Sequence, residues 1–81
     1  MLGLPKGSWV RIINLGFAAT PLDVQKWLEK RGIYLPIEQI AKGTNTHTAT
    51  LCFQNKDIAD LVRWIMENAE FDGRMPIIEG N

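Results

Sequence analysis

The sequence contains only one cysteine and one histidine, Cys52 and His47, among its 81 residues. A disulfide within the chain is therefore excluded, and a structural zinc site of the usual cysteine and histidine kind lacks ligands. The chain also has no excess charge of either sign, because nine basic residues balance nine acidic ones. Net charge supplies no attraction for nucleic acid, so contact with phosphates would depend on a local basic patch.

Several sequence patterns with functional meaning are also missing. No apolar run is long enough to cross a membrane, and no signal or transit peptide is recognisable. There is no phosphate-cradling glycine loop, no pair of carboxylates in an evident cleft, and no set of histidine, carboxylate and nucleophile. The single cysteine suits a reducing intracellular compartment. We expect a binding domain rather than an enzyme, with no cofactor, metal, membrane partner or small-molecule substrate.

Apolar residues at 46% and charged residues at 22% are close to the averages of globular proteins. The length suits one domain, which we place at residues 9–81 after an irregular leader at residues 1–8. The segments with the composition of strands are 9–13, 33–40, 48–53 and 76–78. Pro36 lies inside the second of these and has no N–H for a β-ladder, which predicts an edge strand.

Two further segments have the apolar spacing of amphipathic helices. The first begins after Thr20 as the N-cap, with Pro21 at the first helical position, and ends at Gly32. The second follows either Asn55 or Asp57 as its cap. Its predicted buried face comprises Ile58, Ala59, Val62, Ile65, Met66 and Ala69.

The resulting order is β-α-β-β-α-β, with polar turns at residues 42–46 and 72–74. This order predicts an α+β, ferredoxin-like sandwich with a four-stranded antiparallel sheet and two helices on one face. Trp27 is expected on the inner side of the first helix, in the core. The other face of the sheet stays uncovered and is the natural place for binding.

Two short motifs stand at the ends of predicted elements: residues 14–20 (NLGFAAT) after the first strand and residues 71–74 (FDGR) before the last. The first looks like the junction between first strand and first helix of the RNA-recognition-motif family, and the second is similar to that family's turn before the last strand. The apolar and glycine positions that match its two helices are Val24, Leu28, Gly32, Ala59, Val62 and Met66. The resemblance extends from about residue 10 to residue 78 and implies binding of single-stranded RNA on the uncovered sheet face.

The stacking residues of that family are replaced in this chain. Arg11 stands where the first strand usually presents an aromatic ring, and Thr48 and Thr50 stand where the third strand presents two more. Thr46 and His47 replace that strand's leading basic residue and glycine. Typical members stack two or three bases on these rings. We therefore expect weak or atypical RNA recognition, within a larger RNA-processing protein or complex.

The predicted RNA-binding residues are Trp9, Arg11, Ile13, Lys42, His47, Thr48, Thr50 and Arg74. Trp9 either stacks a base or covers the end of the sheet, while Arg11 contacts a phosphate or stacks by its guanidinium plane. Related domains without sheet aromatics bind RNA with loops, which would here involve Phe17 and the 42–47 hairpin. The favoured interpretation of Phe17 is nevertheless a core side chain beneath the first helix, and the role of His47 stays open.

The second helix supplies an alternative function. Leu61 lies at the edge of the apolar arc and Trp64 lies outside it, so an exposed tryptophan is predicted beside a leucine. Tryptophan is enriched at protein-binding hot spots. The alternatives for Trp64 are such a hot spot and partial burial against the hairpin or a terminus. A hot spot would make the domain a protein-protein interaction module that keeps the fold without binding RNA.

Overall fold

A computed structural model describes residues 8–43 and 46–80 of the chain. Its elements are, in chain order, β1 (Ser8–Ile13), α1 (Pro21–Glu29), a 3-10 turn (Ile37–Gln39), β2 (Ile40–Lys42), β3 (Ala49–Phe53), α2 (Lys56–Met66) and β4 (Ile77–Gly80). The strands form one antiparallel sheet in the order β2-β3-β1-β4. The predicted α+β class, with a four-stranded antiparallel sheet and two helices, is confirmed.

Strand β1 lies inside the sheet, paired with β3 on one side and β4 on the other. Its side chains alternate as predicted, because successive residues of a strand point to opposite faces. Val10 and Ile12 are buried, Arg11 is exposed, and Trp9 and Ile13 are partly buried. The outward face of β1 is therefore the one that the sequence indicated.

The inward side chains of the sheet and the buried side chains of both helices form one apolar cluster. Trp27 belongs to it, as predicted. Its indole N–H donates to the backbone carbonyl of Glu70 at 2.7 Å, and its ring meets that of Phe71 edge to face at 5.2 Å between centroids. These contacts attach α1 to the segment that precedes β4.

Helix α1 has the predicted caps. The Thr20 hydroxyl accepts from the backbone N–H of Asp23, and the Asp23 carboxylate accepts from the backbone N–H of Thr20, both at 3.1 Å. At the other end Gly32 takes a φ of +84°. Its N–H donates to the carbonyl of Glu29 at 3.0 Å, while the N–H of Ile33 donates to Leu28 at 3.0 Å. This pair of bonds closes a helix on a left-handed glycine.

Helix α2 begins after Asn55, whose side-chain oxygen accepts from the backbone N–H groups of Asp57 and Ile58 at 2.7 and 3.2 Å. Of the two predicted caps, Asn55 is therefore the correct one. The prediction that Ile58 is buried was wrong, since half of it is exposed. The buried face is centred between Ala59 and Val62, and a rotation of about 100° per residue leaves Ile58 at its margin.

The second predicted strand, residues 33–40, was largely wrong. Pro36 adopts φ −61° and ψ 148°, and its carbonyl accepts from the N–H of Gln39 at 3.0 Å to start the 3-10 turn. Pairing with β3 begins only at Ile40 and extends to Lys42, which had been assigned to the turn. Because proline has no N–H to donate and a fixed φ, the hydrogen-bonded pairing with β3 starts only after Pro36. The edge position of β2 is confirmed.

The remaining boundaries differ by one or two residues. Ser8 belongs to β1 rather than to the leader, and residues 1–7 lie outside the described part of the chain. Thr48 precedes β3, and β4 runs over Ile77–Gly80 rather than residues 76–78. Such shifts are usual at element ends, where pairing rather than composition decides the last residue.

The predicted turn before β4 is confirmed. Asp72 and Gly73 both have positive φ, at 50° and 79°, and the backbones of Phe71 and Arg74 exchange hydrogen bonds of 2.8 and 2.9 Å. Positive φ at both central residues defines a type I′ turn, for which aspartate followed by glycine is a favoured pair. The turn directs Arg74 towards the end of β1.

Candidate nucleic-acid interface

The uncovered face of the sheet carries the predicted strand residues. In the register, Arg11 lies opposite Thr50 and Trp9 lies opposite Cys52, so these four residues share one face. Ile13 ends β1 on the same face, opposite the exposed Ile77 of β4. The structure therefore brings Trp9, Arg11, Ile13 and Thr50 together, while Thr48 lies just before β3. The β3 side of this face offers short side chains with no ring.

Arg11 has two partners on this face. Its guanidinium lies 4.8 Å from the centroid of the Trp9 ring, and its Nη1 lies 3.8 Å from Oε1 of Glu79. Glu79 is its direct neighbour in the β1–β4 register. Both charged side chains are about half exposed, so the pair adds little stability, but it offsets the positive charge of Arg11.

Glu79 was absent from the sequence prediction. Its position opposite Arg11 depends on the β1–β4 register, which the composition of a short last strand does not specify. The one sequence signal was that Glu79 is a charged residue between Ile78 and Gly80 in a short segment with the composition of a strand. A carboxylate beside Arg11 makes this face a poorer site for phosphate than the sequence suggested.

The favoured interpretation of Phe17, a core side chain beneath the first helix, was wrong, because 59% of it is exposed. Leu15 takes the buried position instead, at 3% exposure, and Gly16 then turns the backbone with a φ of +95°. Only glycine adopts this conformation readily, and the turn directs the Phe17 side chain away from the core.

The Phe17 ring lies against the ring of His47, with 3.9 Å between centroids and 37° between planes. The backbone joins the same two loops, since the N–H of Leu15 donates to the carbonyl of His47 at 2.8 Å. Lys42 Nζ donates to the carbonyls of Gly43 and Phe17 at 2.9 and 3.5 Å. An exposed aromatic pair thus lies beside a lysine amine. Residues 44 and 45 of the predicted 42–47 loop lie outside the described residues.

Arg74 reaches the same end of the molecule from the turn before β4. Its Nη1 donates to the side-chain oxygen of Asn14 at 3.3 Å, and its guanidinium lies along the backbone of Gly16, next to Phe17. We call Phe17, Lys42, His47 and Arg74 the loop end. The structure therefore assembles three of the predicted RNA-binding residues around Phe17.

The predicted protein-binding residues lie elsewhere. Leu61 is 55% exposed and Trp64 is 74% exposed, on the side of α2 that faces away from the sheet. Ile58 extends this exposed apolar surface by one turn. Of the two interpretations of Trp64, burial against another part of the chain is therefore wrong for the described residues.

Within residues 8–43 and 46–80, no helix is both long and apolar enough to span a membrane. Nor do three or more histidine, cysteine or acidic side chains in that part of the chain gather into a set able to hold a metal ion. Cys52 is an exposed free thiol on the sheet face.

A scan against models of known protein families gives no match to the chain, and a search of curated proteins gives no significant match. The side chains of the loop end, the sheet face and α2 are therefore the basis for assigning a function.

Proposed function

We propose that this chain is an atypical RNA-recognition domain that binds single-stranded RNA mainly through its loop end. The observation that carries the proposal is the exposed Phe17–His47 ring pair beside the amine of Lys42. Single-stranded RNA is bound by aromatic side chains that stack unpaired bases and by cations that contact the backbone. The loop end supplies both kinds of group.

The ferredoxin-like assignment is part of this proposal. Strands β1 and β3 lie side by side inside the sheet, β2 and β4 lie at its edges, and every pairing is antiparallel. Both helices contribute buried side chains to the apolar cluster on one side of the sheet. This arrangement supports the split β-α-β topology that the sequence resemblance implies. It leaves the other sheet face and the loop end accessible.

The loop end is favoured over the sheet face because of what each can offer a base. Stacking on an aromatic ring is worth about 1–3 kcal/mol per base. Thr48 and Thr50 offer no ring, and Trp9 already carries the guanidinium of Arg11 over its face. Phe17 and His47 are the exposed ring pair among the described residues. We assign the sheet face a weaker, supporting role.

The affinity of such a site is expected to be modest. The loop end offers one ring pair and two cations, and the chain has no net charge to attract a polyanion. A module of this kind gains useful affinity when it is linked to a second binding unit. We therefore place the domain within a larger RNA-processing protein or complex, in the nucleus or the cytoplasm.

A nuclear magnetic resonance titration with mixed-sequence single-stranded RNA tests the proposal. We expect the amide signals of Leu15, Phe17 and His47 to shift in a saturable way. The three tryptophan indole signals report on separate surfaces: Trp9 on the sheet face, Trp27 on the core and Trp64 on α2. Shifts of the Trp64 signal with unchanged loop-end amides would contradict loop-end binding.

A second candidate function is supported by the exposed surface of α2. Ile58, Leu61 and Trp64 present large apolar side chains to solvent on one helix, and Trp64 is 74% exposed. Contiguous exposed apolar surface of this kind is typical of protein-protein contacts. We therefore keep a protein-interaction module as the alternative. If the addition of RNA shifts none of the protein's signals in the titration, the protein-interaction function is favoured.

The Arg11–Glu79 pair leads to a prediction about the sheet face. Replacing Glu79 by glutamine removes the charge that offsets Arg11 while keeping the size of the side chain. Because one freed cation adds about one phosphate contact, we expect the affinity for single-stranded RNA to rise by roughly two- to fivefold at 0.1 M salt. Fluorescence anisotropy with labelled RNA measures the change.

Glu67→Gln is the matched control, since it makes the same change in net charge on exposed α2. An equal gain in affinity for both variants would show that only the net charge matters. In that case Arg11 would have no specific role.

A further inference from the structure

A groove of about 690 Å³ extends from the loop end along α1. Phe17 of the loop end lines it, and so does Arg74 from the turn before β4. Trp27 lines it as well, but that residue is only 8% exposed and its indole N–H already donates to the carbonyl of Glu70. The groove is therefore continuous with the proposed RNA site and offers no second exposed ring.

The groove is lined by four cations, Lys26, Lys30, Arg31 and Arg74. Lys26 and Lys30 are one helical turn apart and so lie on the same side of α1. Within residues 8–43 and 46–80, the only ion pairs closer than 4.0 Å are Arg11–Glu79 and Lys56–Asp60. None of the four groove cations therefore has a carboxylate partner at that distance.

Three carboxylates also line the groove: those of Asp23, Glu70 and Asp72. The Asp23 carboxylate accepts from the N–H of Thr20 in the helix cap and keeps its negative charge. The other two belong to the segment before β4, as Arg74 does. The α1 side of the groove thus carries the three cations Lys26, Lys30 and Arg31 against the single carboxylate of Asp23, and it is the positive side.

We propose that this groove binds the phosphate backbone of the RNA strand as it leaves the loop end. The inference rests on the proposed function, since the strand enters the groove after a base stacks on Phe17. The cations of the groove contact phosphates and do not contact bases, so binding there is independent of the RNA sequence. Because the contact is electrostatic, it weakens as the salt concentration rises. The groove therefore increases the number of RNA nucleotides that the domain contacts without adding sequence specificity.

The test compares RNAs of about four and about twelve nucleotides, a range that spans known single-strand site sizes. The variant carries Lys26→Gln and Lys30→Gln. We expect its affinity for the longer RNA to fall by about fivefold for each lost phosphate contact at 0.1 M salt, and the slope of log K against log salt to shrink by about 1.4. Affinity for the short RNA, which stays at the loop end, should be unchanged.

The control is the double variant Lys56→Gln, Arg63→Gln, which removes the same charge from α2. It should change both affinities little. The altered side chains in both variants are exposed, so the thermal unfolding midpoints should match that of the unaltered chain.

The outcomes separate the two proposals. Loop-end binding stands and the groove proposal fails if Lys26→Gln, Lys30→Gln leaves the longer RNA unaffected, or weakens both RNAs equally. Both proposals fail if the unaltered chain binds neither RNA. A polyglutamate peptide of about twelve residues serves as a second probe. If it binds as tightly as the longer RNA and depends equally on the two lysines, the groove takes any polyanion and its assignment to RNA is wrong.

Discussion

Replacement of Phe17 by alanine is expected to weaken binding of single-stranded RNA by about 1–3 kcal/mol, or roughly 5- to 150-fold. The Phe17 ring is exposed and lies 3.9 Å from the His47 ring between centroids. Its loss removes a stacking surface, and it also leaves the His47 ring without its neighbour. Lys42 keeps its contact, because that bond goes to the backbone carbonyl of residue 17. Titration calorimetry or anisotropy gives the dissociation constants.

Stability should change little in this variant, since 59% of Phe17 is exposed. Trp64→Ala is the matched control, because it removes another exposed aromatic side chain, 74% exposed, from a different surface. We expect the Trp64 variant to bind RNA like the unaltered chain. Equal losses for both variants, or a loss for Trp64→Ala alone, would mean that the loop end is not the RNA site.

Replacement of Leu28 by alanine is expected to lower the free energy of unfolding by about 2–5 kcal/mol. Leu28 is fully buried in α1, where Val24 and Trp27 share its cluster. The substitution removes buried methyl groups and leaves a cavity that the surrounding side chains fill only in part. The total free energy of unfolding of such a domain is about 5–15 kcal/mol, so the substitution removes a large fraction of its stability. Urea denaturation measures the difference.

Leu22→Ala makes the same chemical change on the same helix, but at a position that is 51% exposed. We expect Leu22→Ala to lower the free energy of unfolding by well under 1 kcal/mol, as ordinary surface substitutions do. Similar losses for the two variants would contradict the packing of α1 described above. A loss of RNA binding by folded Leu28→Ala chains would indicate that α1 contributes to the site in another way.

Local chemistry explains why the helices were predicted well. Thr20, Pro21 and Asp23 form a start signal within four residues, and Asn55 does the same for α2. Both caps are bonds between near neighbours in the chain, so the sequence contains all their partners. The alternation of Val10 and Ile12 in β1 is equally local, since it follows from the period of a strand.

The errors occurred where the competing choices were not local. The sequence favoured Phe17 as the buried residue of the first loop, but Gly16 adopts a φ of +95° and Leu15 is the residue that is buried. Ile40 pairs with Leu51 only after the chain has made a 3-10 turn at Pro36. Neither decision is visible in composition, because each depends on which neighbours the folded chain provides.

The candidate site was predictable only residue by residue. Arg11 and Lys42 were identified from charge, but nothing in the sequence placed Glu79 beside Arg11. The family resemblance offered Phe17 and the 42–47 hairpin as loop elements, but it did not pair the ring of Phe17 with that of His47. These pairs form across the sheet and between separate loops, through contacts that the strand register sets. The groove lysines were not recognised, since on α1 they have the spacing of any solvent-exposed helix face.

The scarcity of cysteine and histidine and the absence of net charge are properties of the composition, so they are known without a structure. The sequence by itself determined the exclusion of a disulfide within the chain, Thr20 as the N-cap of α1 and the outward face of β1, because each follows from residue type or near-neighbour contacts. The structure was needed to choose Asn55 over Asp57 as the cap of α2. Only the tertiary structure decided that Phe17 is exposed, that Glu79 offsets Arg11 and that the loop end joins a basic groove. Those features are contacts between residues far apart in the chain, and folding alone brings them together.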